Sequence, residues 1–276
     1  MVNGLLEKIF NPFVLLFLNG AVVIAAEFAG GGFFFAQTGL IHGIALLFIA
    51  LAISRLFVHY YTFDPALEKF VHATLAALLV FSASHFMEFI SYRFLNMAGD
   101  AIFANVLHFY LISLLLINVG AEFFLRKVDR RSPAFIVLYI IGIVVMAGLT
   151  SAYFVNDRIV TLAPGSPMIP AYSTLVAVIA ALGIYKLLRI KNRVSIAAGF
   201  VNYLLAAYAL IAISATQGIY VDILARDFGI PLIQIAYISH FTFYAALSFM
   251  FLAFVKFANL GGLYAAAQEE LRREKQ

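Results

Sequence analysis

Residues 100–126 read DAIFANVLHFYLISLLLINVGAEFFLR, and from Ala101 to Ala121 nothing in the run carries a formal charge. At 1.5 Å per residue, a helix over this stretch crosses roughly 30 Å of hydrocarbon. The run is far too long for a barrel strand, which needs only about 9–11 residues. Backbone groups in lipid must bond within their own segment, so the run reads as a transmembrane helix.

The same signal recurs along the chain. Spans are expected at 11–29, 38–61, 66–94, 100–126, 134–155, 171–190, 196–219 and 230–258. Local breakers separate them: Gly30-Gly31-Gly32 ends the first, Asp64-Pro65 opens the third and Ser132-Pro133 opens the fifth. Pro164-Gly165-Ser166-Pro167 turns the chain in the longest loop. Hydrophobic residues make up 64% of the chain and charged residues 12%, too few charges to cover a soluble domain. The mean hydropathy of +1.00 agrees. The expected fold is an all-α polytopic transmembrane bundle of about eight spans over residues 1–260, with the lipid bilayer as its surround. Val14–Phe28 reads as part of a retained first span, because no basic region and small-residue cleavage site accompany it.

Charge placement orients the bundle. With both termini cytoplasmic, all but Arg93, Arg158 and Arg226 of the 18 Lys and Arg fall on the inner side. This asymmetry accounts for the pI near 9.2 without a nucleic-acid partner. Residues 261–276 differ in character. The stretch Leu263–Gln276 (LYAAAQEELRREKQ) is made of good helix formers, with Glu269 and Glu270 at helical spacing from Arg273. It reads as a helix leaving the membrane toward a cytoplasmic signalling partner, other subunits of a membrane complex or a second copy of the chain.

Threading the spans places four of the six histidines at one depth in the outer half: His42, His85, His108 and His240. Glu88 lies there too, at i,i+3 from His85, and Glu27 lies near the outer end of the first span. Asn105 precedes His108 at the same spacing, and Tyr237, His240 and Tyr244 form a stripe on the last span. Ionisable groups inside hydrocarbon are costly and tend to mark function.

Three chemistries fit His42, His85, Glu88, His108 and His240. Neutral imidazoles with a carboxylate can bind a transition metal such as zinc or copper. Two imidazoles from facing helices can hold a haem b iron axially, as in an electron-transfer subunit of a respiratory or quinone-linked complex. The set can also hydrogen-bond a small polar or quinone-like ligand in an apolar pocket. Against all three stands the plainer reading that each histidine is only interhelical glue.

His59 and His72 lie near the cytoplasmic boundary and read as solvated interfacial residues, the sharper alternative being ligands of an inner haem. Glu122, flanked at i±4 by Asn118 and Arg126, reads as a local ion pair at the inner rim. The absence of cysteine excludes disulfides and thiolate sites. No nucleophile elbow, zinc-protease motif or phosphate loop is present, so the chain is not expected to be an enzyme by itself.

Four places carry a resemblance. Ile41-His42-Gly43 opens the second span after a Phe-rich end to the first, and Phe81–Tyr92 (FSASHFMEFISY) holds a histidine and an acid. Leu162–Ile169 (LAPGSPMI) precedes the sixth span, and Tyr237–Gln276 combines a His-Phe pair, a Leu-Tyr step and a charged helical exit. In this layout the chain resembles the third class of membrane-associated sensor domain (the MASE type) of prokaryotic histidine kinases and diguanylate cyclases. The resemblance implies a sensory role in which ligand occupancy shifts the exit helix. No kinase, cyclase or receiver domain follows Gln276 in this sequence, so the chain is read as a truncated product, as signalling through a separate partner, or as a stand-alone membrane subunit.

Overall fold

The computed structural model describes residues 40–47, 49–51, 53–54, 65–94, 99–129, 134–155, 168–193, 198–216, 223–231 and 241–256, with isolated positions at 14, 17, 21, 220, 234, 235 and 238. Every regular element among them is helical. We label the principal helices α1 (Leu40–Leu51), α2 (Pro65–Arg93), α3 (Gly99–Asp129), α4 (Ala134–Val155), α5 (Met168–Arg193), α6 (Ala198–Ala215) and α7 (Phe241–Lys256).

The helix ends follow local chemistry. α2 starts on Pro65, whose missing N–H belongs to a first turn that has no intrahelical acceptor, and Glu68 complements the positive end of the helix dipole. α5 ends with Lys191 and Arg193 in its last turn, the favourable sign for a C-terminus. Beyond α6, a π turn at Ile223–Asp227 is closed by Gly229 with φ +65°, a conformation that glycine adopts without a steric cost. The Ile230 N–H then donates to the Leu224 carbonyl at 3.0 Å.

Three stretches are long and apolar enough to cross a membrane: Glu68–Ile90 in α2, Leu107–Arg126 in α3 and Ala171–Arg193 in α5. Shorter apolar stretches lie in α1, α4, α6 and α7. The expected span 134–155 coincides with α4, and 100–126 and 171–190 each lie within a slightly longer helix. The first expected span, the loop 156–167 and the exit segment 261–276 lie outside the described residues, apart from three isolated helical positions in or near the first span.

α3 is the centre of the bundle. Its apolar stretch is 78% buried, against 50% for that of α2 and 39% for that of α5. It packs on α2, α4 and α5, and α5 also packs on α6. α4 lies at the periphery, with Leu138, Ile141 and Val144 all more than half exposed, a surface suited to hydrocarbon rather than water.

Polar atoms in these helices are satisfied in two ways. Thr74, Ser84 and Ser248 donate to carbonyls of their own helices, Phe70, Phe81 and Tyr244, at 2.7–3.0 Å. Ser82 Oγ instead donates to the Gly43 carbonyl of α1 at 2.7 Å, and Ser113 Oγ to the Ala77 carbonyl of α2 at 3.1 Å. Such bonds tie helices together where lipid offers no partner.

Close approach of α2 and α3 depends on Gly120. A Cβ there would lie 2.9 Å from Ala73 Cβ and 3.1–3.2 Å from the Phe70 backbone, which cannot swing aside. Gly120→Val is expected to destabilise the protein by about 1–3 kcal/mol through overpacking, measured as a lower unfolding midpoint in detergent. An unchanged midpoint would show that the two helices are not held at this spacing.

Candidate functional site

The α1–α2 contact at Gly43 places His42 beside His85. Their rings meet edge to face with centroids 4.8 Å apart, and each residue is only 3% exposed. One turn along α2, Glu88 Oε2 lies 2.9 Å from His85 Nδ1, and the Glu88 side chain is 22% exposed. An ionised carboxylate can only accept, so opposite it Nδ1–H is the donor, which leaves Nε2 as the second functional atom of the ring.

Aromatic rings enclose the pair. Phe243 of α7 stands 4.9 Å from His42 and 5.4 Å from His85, and Tyr244 stands 5.0 Å from His42. Tyr110 of α3 lies edge-on to His85 at 6.1 Å and to Phe81 at 4.7 Å. The site is therefore assembled from α1, α2, α3 and α7 around a histidine–carboxylate pair, with Glu88 at its more open edge.

Of the other expected members, only His108 can be placed against the pair, and it stands apart. His108 is fully buried but packs on Tyr172 of α5 at 4.7 Å. It stands two residues before Tyr110, and that spacing turns it about 200° around α3, so equal depth does not bring it to His85. His240, Tyr237, Glu27, His59 and the Asn105 side chain lie outside the described residues. The His72 side chain is 59% exposed, with Nδ1 3.9 Å from Glu68 Oε1.

Neither metal reading gains support from this geometry. Among the described residues no three His, Asp or Glu side chains converge on a common point for a metal ion. Axial haem ligation sets two imidazole nitrogens roughly 4 Å apart across a porphyrin. Rings already in edge contact leave no room for a macrocycle, so His42 and His85 do not fit a haem between them.

A second polar cluster departs from the sequence expectation. Glu122 pairs with Lys186 of α5 at 2.9 Å, with both side chains buried, a partner on another helix that the local spacing to Asn118 and Arg126 does not reveal. Lys186 therefore belongs to the bundle interior and not to the solvated inner rim. Its ammonium also lies 3.9 Å above the Tyr139 ring of α4, a favourable cation–π position.

One turn along α3, Asn118 Nδ2 reaches the carbonyls of Leu114 (2.9 Å) and Ile179 (3.3 Å) and the Tyr208 hydroxyl (3.2 Å). Tyr208 donates onward to the Leu114 carbonyl, and its ring crosses α5 directly over Gly183, where a Cβ would collide with it. Opposite charges at matching depth near the inner ends of two spans are the sequence signal that could have found the ion pair. Tyr110 has none beyond its nearness to His108.

No family model matches the chain, nor does any curated protein or solved structure.

Proposed function

We propose that this protein is a membrane-embedded ligand-binding sensor module whose site is His42, His85 and Glu88 within the ring of Tyr110, Phe243 and Tyr244. The observation that carries the reading is the partly buried His85–Glu88 hydrogen bond, held edge-on by His42 and walled by aromatic rings from two further helices. Ligand sites are mostly apolar enclosures with a few convergent polar groups, and this constellation has that character. The charge asymmetry of the sequence supports an eight-span arrangement with both termini cytoplasmic, which sets the site in the outer half of the bilayer.

α7 supplies the route to an output. Phe243 and Tyr244 touch His42 near its start, and Lys256 lies about 18 Å further along the same helix, immediately before the segment that leads to the exit helix. A ligand that prefers one packing of α1, α2 and α7 would shift the inner end of α7 by population shift. This is the mode of action that the sensor-like layout of the chain implies, with a cytoplasmic partner or a second copy as receiver.

The test is intact-complex mass spectrometry on protein released from its own membranes. A retained small molecule is expected on the wild type and on His72→Ala, and its loss is expected on His42→Ala and His85→Ala. The optical spectrum of the same sample is expected to lack a Soret band. A Soret band that disappears in His85→Ala would replace the sensor by the haem-subunit reading. Equal retention in all variants would remove the site from His42 and His85.

A further inference from the structure

His85 Nε2 is buried and has no hydrogen-bond partner among the described residues. Its sister atom Nδ1 is committed to Glu88. In a neutral imidazole whose proton is held at Nδ1, Nε2 is an acceptor and nothing else. A buried acceptor in an apolar enclosure is costly to leave unsatisfied, so the site is built for a molecule that brings a donor.

Two further properties narrow the donor. The site lies among the helices of a bundle whose flanks are apolar, so a ligand reaching it through lipid must itself partition into hydrocarbon. The walls are planar: Phe243, Tyr110 and His42 surround His85 with tilted and edge-on rings, geometry that suits a further aromatic ring. We infer that the ligand is a lipid-soluble hydroquinone, whose hydroxyl donates to His85 Nε2 while its ring packs among these side chains.

This rests on the ligand-binding reading above and adds what the site reports. The oxidised quinone presents carbonyl oxygens, which only accept, so it faces Nε2 acceptor to acceptor. The reduced molecule binds and the oxidised one is rejected. A hydrogen-bonding site discriminates strongly against an analogue lacking the hydrogen, because its own buried atom is then left unpaired. The site therefore reads the redox state of a membrane quinol pool by binding alone, with no electron passing through the protein.

The experiment uses wild-type protein in lipid nanodiscs, labelled with nitrogen-15 in its six histidines. It is titrated with decylubiquinol and, separately, with decylubiquinone. The expected result is a saturable shift of the His85 Nε2 resonance by the quinol, at an affinity at least about tenfold higher than for the quinone. The exposed His72 is expected to stay unmoved by either.

Equal affinity for both forms overturns the inference, as does a His85 resonance that ignores the quinol. Failure of the hydroquinone assignment is distinguishable from failure of the site. If the quinol has no effect but a His85-dependent molecule is retained in the mass measurement, the ligand site stands and the hydroquinone assignment falls. If neither is seen, both fall.

Discussion

Glu122→Ala is expected to destabilise the protein by about 3–5 kcal/mol, more than the overpacking expected from Gly120→Val. The reason is the partner left behind. Lys186 is buried over Tyr139, and removing the carboxylate 2.9 Å away leaves a buried ammonium without that counter-charge. The converse change carries a different expectation. Replacing both members with apolar residues of similar size, as in Glu122→Leu with Lys186→Met, removes both buried charges and is expected to recover most of the loss. Equilibrium unfolding of the single and double variants in mixed micelles measures this directly. A loss below about 1 kcal/mol for Glu122→Ala would mean that the pair is solvated, in the range of exposed ion pairs.

The second large effect concerns binding. His85→Ala removes the acceptor and leaves Glu88 without its imidazole, so affinity for decylubiquinol is expected to fall by about 5–150-fold, corresponding to the roughly 1–3 kcal/mol of leaving the ligand's buried donor unsatisfied. Glu88→Gln retains a hydrogen-bonding partner for Nδ1 but no longer compels the proton to sit there, and a smaller loss is expected. Quenching of the protein's tyrosine emission by the added quinol provides the affinity. A His85→Ala variant that binds as well as the wild type would place the ligand elsewhere in the bundle.

These two sites show how far a linear reading of the chain reaches. Depth is nearly one-dimensional: helix rise and the breakers between spans place a residue along the membrane normal, and His42 and His85 are expected at one level on that ground. Azimuth is not one-dimensional. His108 is expected at the same depth, yet it stands on the α5-facing side of α3 while Tyr110, two positions later, faces His85. Nothing in the local pattern says which of them the neighbouring helix will meet.

The ion pair makes the same point. Glu122 has Arg126 one turn away, and helical spacing alone favours that local partner. The pairing with Lys186 of α5 arises because α3 is central and its Asn118–Glu122 face is pressed against α5, where both charges are buried. Length and apolarity are better guides to elements. The expected boundaries of α4 coincide with the helix, because a proline and charges stand just outside them.

The arrangement also gives a reason for the two clusters to lie on one helix. Tyr110 at the ligand site and Glu122 in the ion pair are separated by about 18 Å along α3 and by about 120° around it. One central helix therefore packs on α2 at the candidate site and on α5 at the ion pair.

In the proposed mechanism, occupancy of the His42–His85–Glu88 site moves the inner end of α7. The native chain contains no cysteine, so spin labels can be placed at Asn192→Cys on α5 and Lys256→Cys on α7 without background. Pulsed dipolar spectroscopy of this doubly labelled protein in nanodiscs then reports the distance between the two inner ends. The distance distribution is expected to shift between the ligand-retaining protein and its His85→Ala variant, and not to shift in His72→Ala. Superimposable distributions in all three, with a bound molecule lost only from His85→Ala, would contradict the mechanism.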